Sequence, residues 1–192
     1  MLDGKKCIAI GPGLGVTDGT KKLVSKIICE CEIPLVIDAD GLNCIEGNVN
    51  VLKNKASSII LTPHPGEMAR LTGVSITSIQ KDRITSARDL AQKFDIHVVL
   101  KGARTVIAHP NGNLYINNTG NPGMASGGMG DVLTGIIGSF VTQGYTPEAA
   151  THMGVYIHGA AADTLAQEYG PVGFLASDII DALPVEIGKL IS

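Results

Sequence analysis

Residues 119–138 read TGNPGMASGGMGDVLTGIIG. The stretch sets Gly120, Gly123, Gly127, Gly128 and Gly130 ahead of one acid, Asp131, and an apolar helical pattern of Val132, Leu133, Ile136 and Ile137 comes directly after it. A glycine-dense loop feeding a helix presents unpaired backbone N–H groups and the positive end of the helix dipole to whatever lies in front. Glycine also admits positive φ and lets a ligand approach the backbone. The expected occupant is a phosphate or a developing oxyanion, with Asp131 the one ionisable side chain at the mouth. A flexible loop whose aspartate merely caps a helix is the simpler alternative. So much glycine at one helix start favours the anion site.

Outward from this stretch the chain alternates strand and helix. Towards the N-terminus, residues 5–10 form a short β-type run that leaves through GPGLG (Gly11, Gly13 and Gly15 with Pro12 and Leu14). Asp18 starts a helix with Leu23, Val24, Ile27 and Ile28 at helical spacing. Pro34 opens a buried strand ending at Asp38, with DADGLN beyond it; a third run, residues 57–61, ends in TPHPGE before a short helix with Met68 and Leu71. Residues 79–94 read as one amphipathic helix, with Ile84, Ala87, Leu90, Ala91 and Phe94 on its apolar side. Residues 97–101 form a strand that runs into KGART, and residues 104–109 and 114–117 form a hairpin around Asn111-Gly112. The remainder is helical: residues 131–143, residues 147–167 with Thr146 as N-cap and Pro147 at the first position, and residues 177–191 interrupted by Pro184. Continuous apolar strands alternating with helices imply a mostly parallel α/β sheet covered on both faces. Ligands bind beyond the carboxyl ends of such strands, where four polar or glycine-rich clusters would converge.

The 192 residues suit a single domain, with no internal repeat or linker. Hydrophobic content is 44% and charged content 17%, and with 4% aromatics and no Trp the core must be aliphatic. A net charge of −3 without a basic run argues against nucleic-acid binding. No apolar run is long enough to span a membrane and no secretory leader is evident, so a soluble cytoplasmic protein is expected. Cys7, Cys29, Cys31 and Cys44 form no CxxC pair and have no histidine nearby. They read as reduced, mostly buried small hydrophobes. His152 and His158 share a helix six residues apart, off a common face, and are poor metal candidates.

Each strand-end cluster has competing readings. GxGxG at Gly11, Gly13 and Gly15 lacks the full dinucleotide fingerprint and fits a tight turn, although it would let a bulky ligand lie against the backbone. In DADGLN, Asp38 and Asp40 with Asn43 suit either a magnesium–phosphate complex or a helix N-cap pair. In TPHPGE two prolines rigidify His64, and Glu67 comes one helical turn later. This favours a ligand contact from His64 and a metal-bound water at Glu67 over a plain connection. KGART carries Lys101 and Arg104, suited to a nucleotide's phosphates, yet alone it reads better as a solvated hairpin entry.

Taken together, IGPGLG (residues 10–15), DADGLN, LTPHPGEMARL (residues 61–71), KGART and NTGNPGMASGGMGDVLTG resemble the ADP/ATP-dependent NAD(P)H-hydrate dehydratases of the ribokinase-like superfamily. GGMGD, residues 127–131, looks like that superfamily's anion hole and catalytic aspartate. Its sugar and vitamin kinases usually carry Asn-x-x-Glu where this chain has His64-Pro-Gly-Glu67, a pattern typical of the dehydratases. The resemblance implies a three-layer α/β/α fold and removal of water from hydrated NADH or NADPH, a metabolite repair, with ADP or ATP as co-substrate. By the family pattern Asp131 is catalytic and Gly13, His64 and Asp131 contact the hydrate. Lys101, Gly102, Ala103, Arg104, Thr105 and Gly130 contact the nucleotide, and Gly127, Gly128, Met129 and Gly130 form the anion hole. Mg2+ is expected at the phosphates with Glu67 as an indirect ligand, and homo-oligomers, often tetramers, are the family habit. Compared with family domains the sequence opens close to IGPGLG, so a single domain short of its N-terminal part, without an epimerase domain, is expected. The competing functions are a vitamin-precursor kinase of the same superfamily and a non-catalytic nucleotide-binding fragment.

Overall fold

The computed structural model describes residues 3–191. Six strands form one sheet in sequential order: β1 (Ile8–Ile10), β2 (Leu35–Ile37), β3 (Ile59–Leu61), β4 (His97–Leu100), β5 (Val106–Ala108) and β6 (Leu114–Ile116). β1 to β4 are mutually parallel, and β5 and β6 continue antiparallel. The expected mostly parallel sheet is therefore present, with the hairpin at one edge.

Side chains alternate across this sheet. Leu35, Ile37, Ile59, Leu61, Val98, Leu100, Val106 and Ala108 enter one core, while Val36, Ile60, Val99 and Ile107 enter the other. The first core is covered by α1 (Asp18–Glu30), α2 (Ala39–Cys44), a 3-10 segment (Val49–Asn54), α3 (Pro65–Thr72), α4 (Ile76–Lys81) and α5 (Arg83–Phe94). Strands added in sequence with crossovers of one hand put every intervening helix on the same face. The opposite face must then be covered by the chain beyond the hairpin: α6 (Met129–Thr142), α7 (Pro147–Tyr169) and α8 (Ala176–Ile191). Gly154 allows α7 to press on α6, because a Cβ there would lie 2.7 Å from Ile137 Cγ1. The result is three layers, α/β/α, as the resemblance implied.

Four local expectations need correction. Residues 79–94 are not one helix: Asp82, at φ −143° and ψ 80°, ends α4 and caps α5 by accepting from Thr85 N at 2.9 Å. The apolar periodicity continues across this break, which hides it, and Ile84 is exposed. α6 starts at Met129 instead of Asp131, because Gly128 takes a left-handed N-cap (φ 85°), leaving Asp131 inside the first turn. α8 runs through Pro184 without interruption. Ile179, Leu183 and Ile187, spaced by four on one face, hold both halves against the core. Cys29 is exposed, although Cys31 and Cys44 are buried; all four cysteines are free, and burial pushes the Cys7 thiol up to about 11.

His152 meets other partners than His158: its Nε2 lies 2.8 Å from His109 Nε2, and Glu148 lies one turn earlier on the same helix. Among the described residues no helix is long and apolar enough to cross a membrane.

Candidate active site

The carboxyl ends of β1 to β4 meet on one rim, and backbone bonds tie the loops there: Asp38 N donates to Ile10 O, Thr62 N to Ile37 O, and Lys101 N to Pro63 O. Gly11, at φ +133°, has its backbone against the Asp38 carbonyl, so a Cβ would overlap that oxygen. Here glycine serves close approach between two loops. Gly13 differs: its φ is +69°, and open space surrounds its Cβ position. Gly15 N donates to Asp40 Oδ2 at 2.9 Å, and Asn43 receives Arg70 on its carbonyl oxygen.

Lys101 is the hub. Its Nζ lies 2.6 Å from Asp38 Oδ1 and 3.8 Å from Glu67 Oε2. Asp38, 1% exposed, also accepts from Thr134 Oγ1 at 2.9 Å, which brings α6 into the network. Asp38 makes no side-chain cap bond to α2. A buried carboxylate needs its charge matched and its lone pairs filled, and the Lys101 and Thr134 contacts do both. Neither sequence reading of Asp38, metal ligand or helix cap, describes this role.

His64 caps α3. Its Nδ1 accepts from Gly66 N at 2.9 Å and Glu67 N at 3.3 Å, while Glu67 Oε2 accepts from His64 N at 2.7 Å. An imidazole nitrogen that accepts from two amides carries no proton, so the neutral ring holds its proton on Nε2. That nitrogen lies 3.5 Å from Glu67 Oε1 on a half-exposed side chain. The sequence located His64 without revealing that the cap fixes its tautomer. Glu67 is 5% exposed and already serves the cap and Lys101, so it suits a metal only through an intervening water.

The KGART loop bends sharply, with Gly102 at φ +144° and Arg104 left-handed at φ 55°. Arg104 therefore lies outside the expected strand. One side chain that the sequence reading missed holds this loop: Arg83 Nη2 donates to Leu100 O at 2.8 Å, and Nη1 donates to Ala103 O at 2.6 Å. Nothing in the local sequence marks Arg83, which simply opens α5.

At the glycine stretch, Met129, Gly130 and Asp131 occupy the first turn of α6, whose amides have no intrahelical acceptors. Asp131 is exposed, and its carboxylate makes no hydrogen bond or ion pair with a described residue. Gly127 has open space at its Cβ position. A Cβ on Gly130 would lie 3.2 Å from Lys101 Nζ and 3.3 Å from Asp38 Oδ2. Gly130 thus joins the glycine loop to the Lys101 hub. His158, 6% exposed beneath Met129, has its Nε2 unpartnered, and burial together with Lys101 pushes its pKa down to about 4. The first turn of α6 thus carries an exposed carboxylate at Asp131, and Gly130 in that turn packs against the partly buried Lys101 and the buried Asp38.

Residues 2–185 match the NAD(P)H-hydrate dehydratase family of carbohydrate-kinase-like domains. The chain belongs to that family. It is 40% identical over 177 residues to the ADP-dependent (S)-NAD(P)H-hydrate dehydratase of Neisseria meningitidis, covering 90% of this chain and 60% of the relative. It is 46% identical over 183 residues to the bifunctional NAD(P)H-hydrate repair enzyme of Moorella thermoacetica, covering 95% of this chain and 34% of that one. The Bacillus subtilis ADP/ATP-dependent NAD(P)H-hydrate dehydratase, co-crystallised with ATP and Mg2+, superposes with a TM-score of 0.86 at 36% identity, covering 96% of this chain and 64% of its own. The fold of this dehydratase-family chain is thus ribokinase-like. The chain spans about a third of the bifunctional relative and less than two thirds of the single-function one.

Proposed function

We propose that the chain dehydrates hydrated NADH or NADPH back to the reduced cofactor, with ADP or ATP as phosphoryl donor. The observation that carries this reading is the free Asp131 carboxylate at the glycine-rich start of α6, beside the Lys101 hub. Asp131 accepts the proton of the ring hydroxyl as that oxygen attacks the terminal phosphoryl group. The bond from phosphorus to the bridging oxygen of the nucleotide breaks, and the nucleotide leaves one phosphate shorter. The ring carbon–oxygen bond then breaks, inorganic phosphate departs, and loss of a proton from the adjacent ring carbon restores the double bond.

Amides of Gly127, Gly128, Met129 and Gly130 are fixed before the reaction and would stabilise charge on the transferred group without reorganising. Gly13, with open space above it, and His64, with its proton on Nε2, would form the hydrate wall. Lys101, Gly102, Ala103, Arg104 and Thr105 would line the nucleotide, with Gly130 completing that side. Mg2+ bound to the phosphates would neutralise charge there, and Glu67 fits the outer-sphere role its buried position leaves it. The free cysteines suit a reducing cytoplasm. The assembly expected from the family is a homo-oligomer, tetrameric in the family manner.

The test supplies chemically prepared NADH hydrate, Mg2+ and ADP or ATP, and monitors the return of reduced-nicotinamide absorbance. Nucleotide-dependent recovery is expected. Phosphorylation of a vitamin precursor without recovery would assign the site to the kinases, and nucleotide binding without either reaction would leave a binding module.

A further inference from the structure

At the end of the sheet opposite Lys101, three histidines form a continuous chain. His97 opens β4, His109 lies directly after β5, and His152 lies in the second turn of α7. His97 Nδ1 lies 2.8 Å from His109 Nδ1, and His109 Nε2 lies 2.8 Å from His152 Nε2. His109 is fully buried. Glu148, one helical turn before His152, completes a group with His109 and His152 whose ligand atoms all lie within 4.8 Å of one another. The Tyr115 ring from β6 covers His152 at a centroid distance of 3.7 Å. Three consecutive strands and the later helix α7 thus converge on one spot that the phosphoryl-transfer chemistry does not use. His97 and Lys101 stand at opposite ends of β4, about 13 Å apart at the rise of a strand.

We propose that His109, Glu148 and His152 form a site for a divalent transition metal of the zinc class, clamping the β5–β6 hairpin to α7. Two imidazoles and one carboxylate are a donor set that Zn2+ accepts, with a fourth position left for water. His97 acts as the positioning residue: it takes the Nδ1–H of His109, the outer hydrogen bond that orients a metal-bound imidazole. In the metal-free chain one proton must lie in the bond between the two Nε2 atoms. On binding that proton moves through solvent to the Nδ1 of its own ring, so that neutral His109 and His152 each carry one proton on Nδ1 and both Nε2 lone pairs face the ion. Tetrahedral zinc holds such nitrogens about 3.3 Å apart, so the pair opens by only a few tenths of an ångström.

The test uses the full chain, free of any polyhistidine tag, stripped with a chelator, and carrying Cys29→Ser to remove the exposed thiol. Co2+ is titrated and monitored by visible absorption, then displaced with Zn2+, and thermal melts are recorded with and without Zn2+. The expected result is one equivalent per chain, tetrahedral Co2+ bands without thiolate charge transfer, and a Zn2+-dependent rise in Tm. Both His152→Asn and Glu148→Gln, at half-buried positions, should weaken binding at least tenfold while keeping the metal-free melt cooperative. Absence of stoichiometric binding would overturn the proposal. So would binding and a Tm shift that persist in both variants.

Discussion

Lys101 Nζ sits 2.6 Å from Asp38 Oδ1, so the strand ends of β4 and β2 are joined by an ion pair across β3. One partner is almost wholly buried and the other largely so. Removing one charge from such a pair leaves the other desolvated and is costly. Asp38→Asn should lower unfolding stability by about 3 kcal/mol in denaturant titrations. It should also weaken nucleotide binding, because Lys101 loses the contact that aims it. A variant with unchanged stability would show that Glu67 alone suffices for Lys101.

Arg83 spans three carbonyls of the 100–104 segment with two guanidinium nitrogens. Arg83→Ala should raise the nucleotide KM roughly tenfold, about the loss of one charge-assisted hydrogen bond, with kcat changed less. Arg83→Lys should rescue poorly, since an ammonium cannot reproduce the planar fork. Steady-state kinetics with varied nucleotide separates the two effects.

Gly11→Ala tests the closeness of the first two loops. At φ +133°, with its backbone against the Asp38 carbonyl, any Cβ forces the strand ends apart. A stability loss of roughly 3 kcal/mol is expected. Gly13→Ala should cost far less in stability, since its surroundings are open and only its positive φ resists. Thermal melts of the two variants side by side measure the difference.

His158 makes stability depend on pH. Burial first, then Lys101, holds its folded pKa at about 4 against an unfolded 6.5, while its hydrogen bond to the Met129 backbone acts the other way. Below pH 6.5 the unfolded chain takes up a proton that the folded chain refuses. The stability is therefore complete well above pH 6.5 and falls as the pH drops towards 4, most steeply midway through that window at about 1.2 kcal/mol per pH unit. Burial of His97 and His109 acts in the same direction. His158→Gln should flatten the fall in Tm between pH 6.5 and 4; an unchanged slope would assign the whole effect to the other histidines.

The layered fold was legible because continuous apolar strands ending in glycine or acid require helices on both faces, and each expected strand is present. The rim was legible for the same reason: GPGLG, DADGLN, TPHPGE and KGART all come after parallel strands. Pairings across the sheet were hidden. Asp38 and Lys101 lie sixty-three positions apart, and only the strand order brings them together. Thr134 lies three residues after Asp131 on α6, a spacing that could have marked it as a neighbour of the site. Asp82 hid its helix break because apolar residues on both sides keep one helical phase. His152 is matched in its own helix most visibly by His158, yet its partners are Glu148 one turn earlier and His109 from the end of β5.

In the proposed reaction Asp131 is the base that starts phosphoryl transfer to the hydrate. Its direct test is recovery of reduced-nicotinamide absorbance from NADH hydrate with Mg2+ and nucleotide, comparing wild type with Asp131→Asn. Asp131 is exposed and bonds to no described side chain, so the variant should fold and bind nucleotide normally. Its kcat should fall on the order of a hundredfold or more. An Asp131→Asn protein that restores the cofactor at the wild-type rate would rule out this role for the carboxylate.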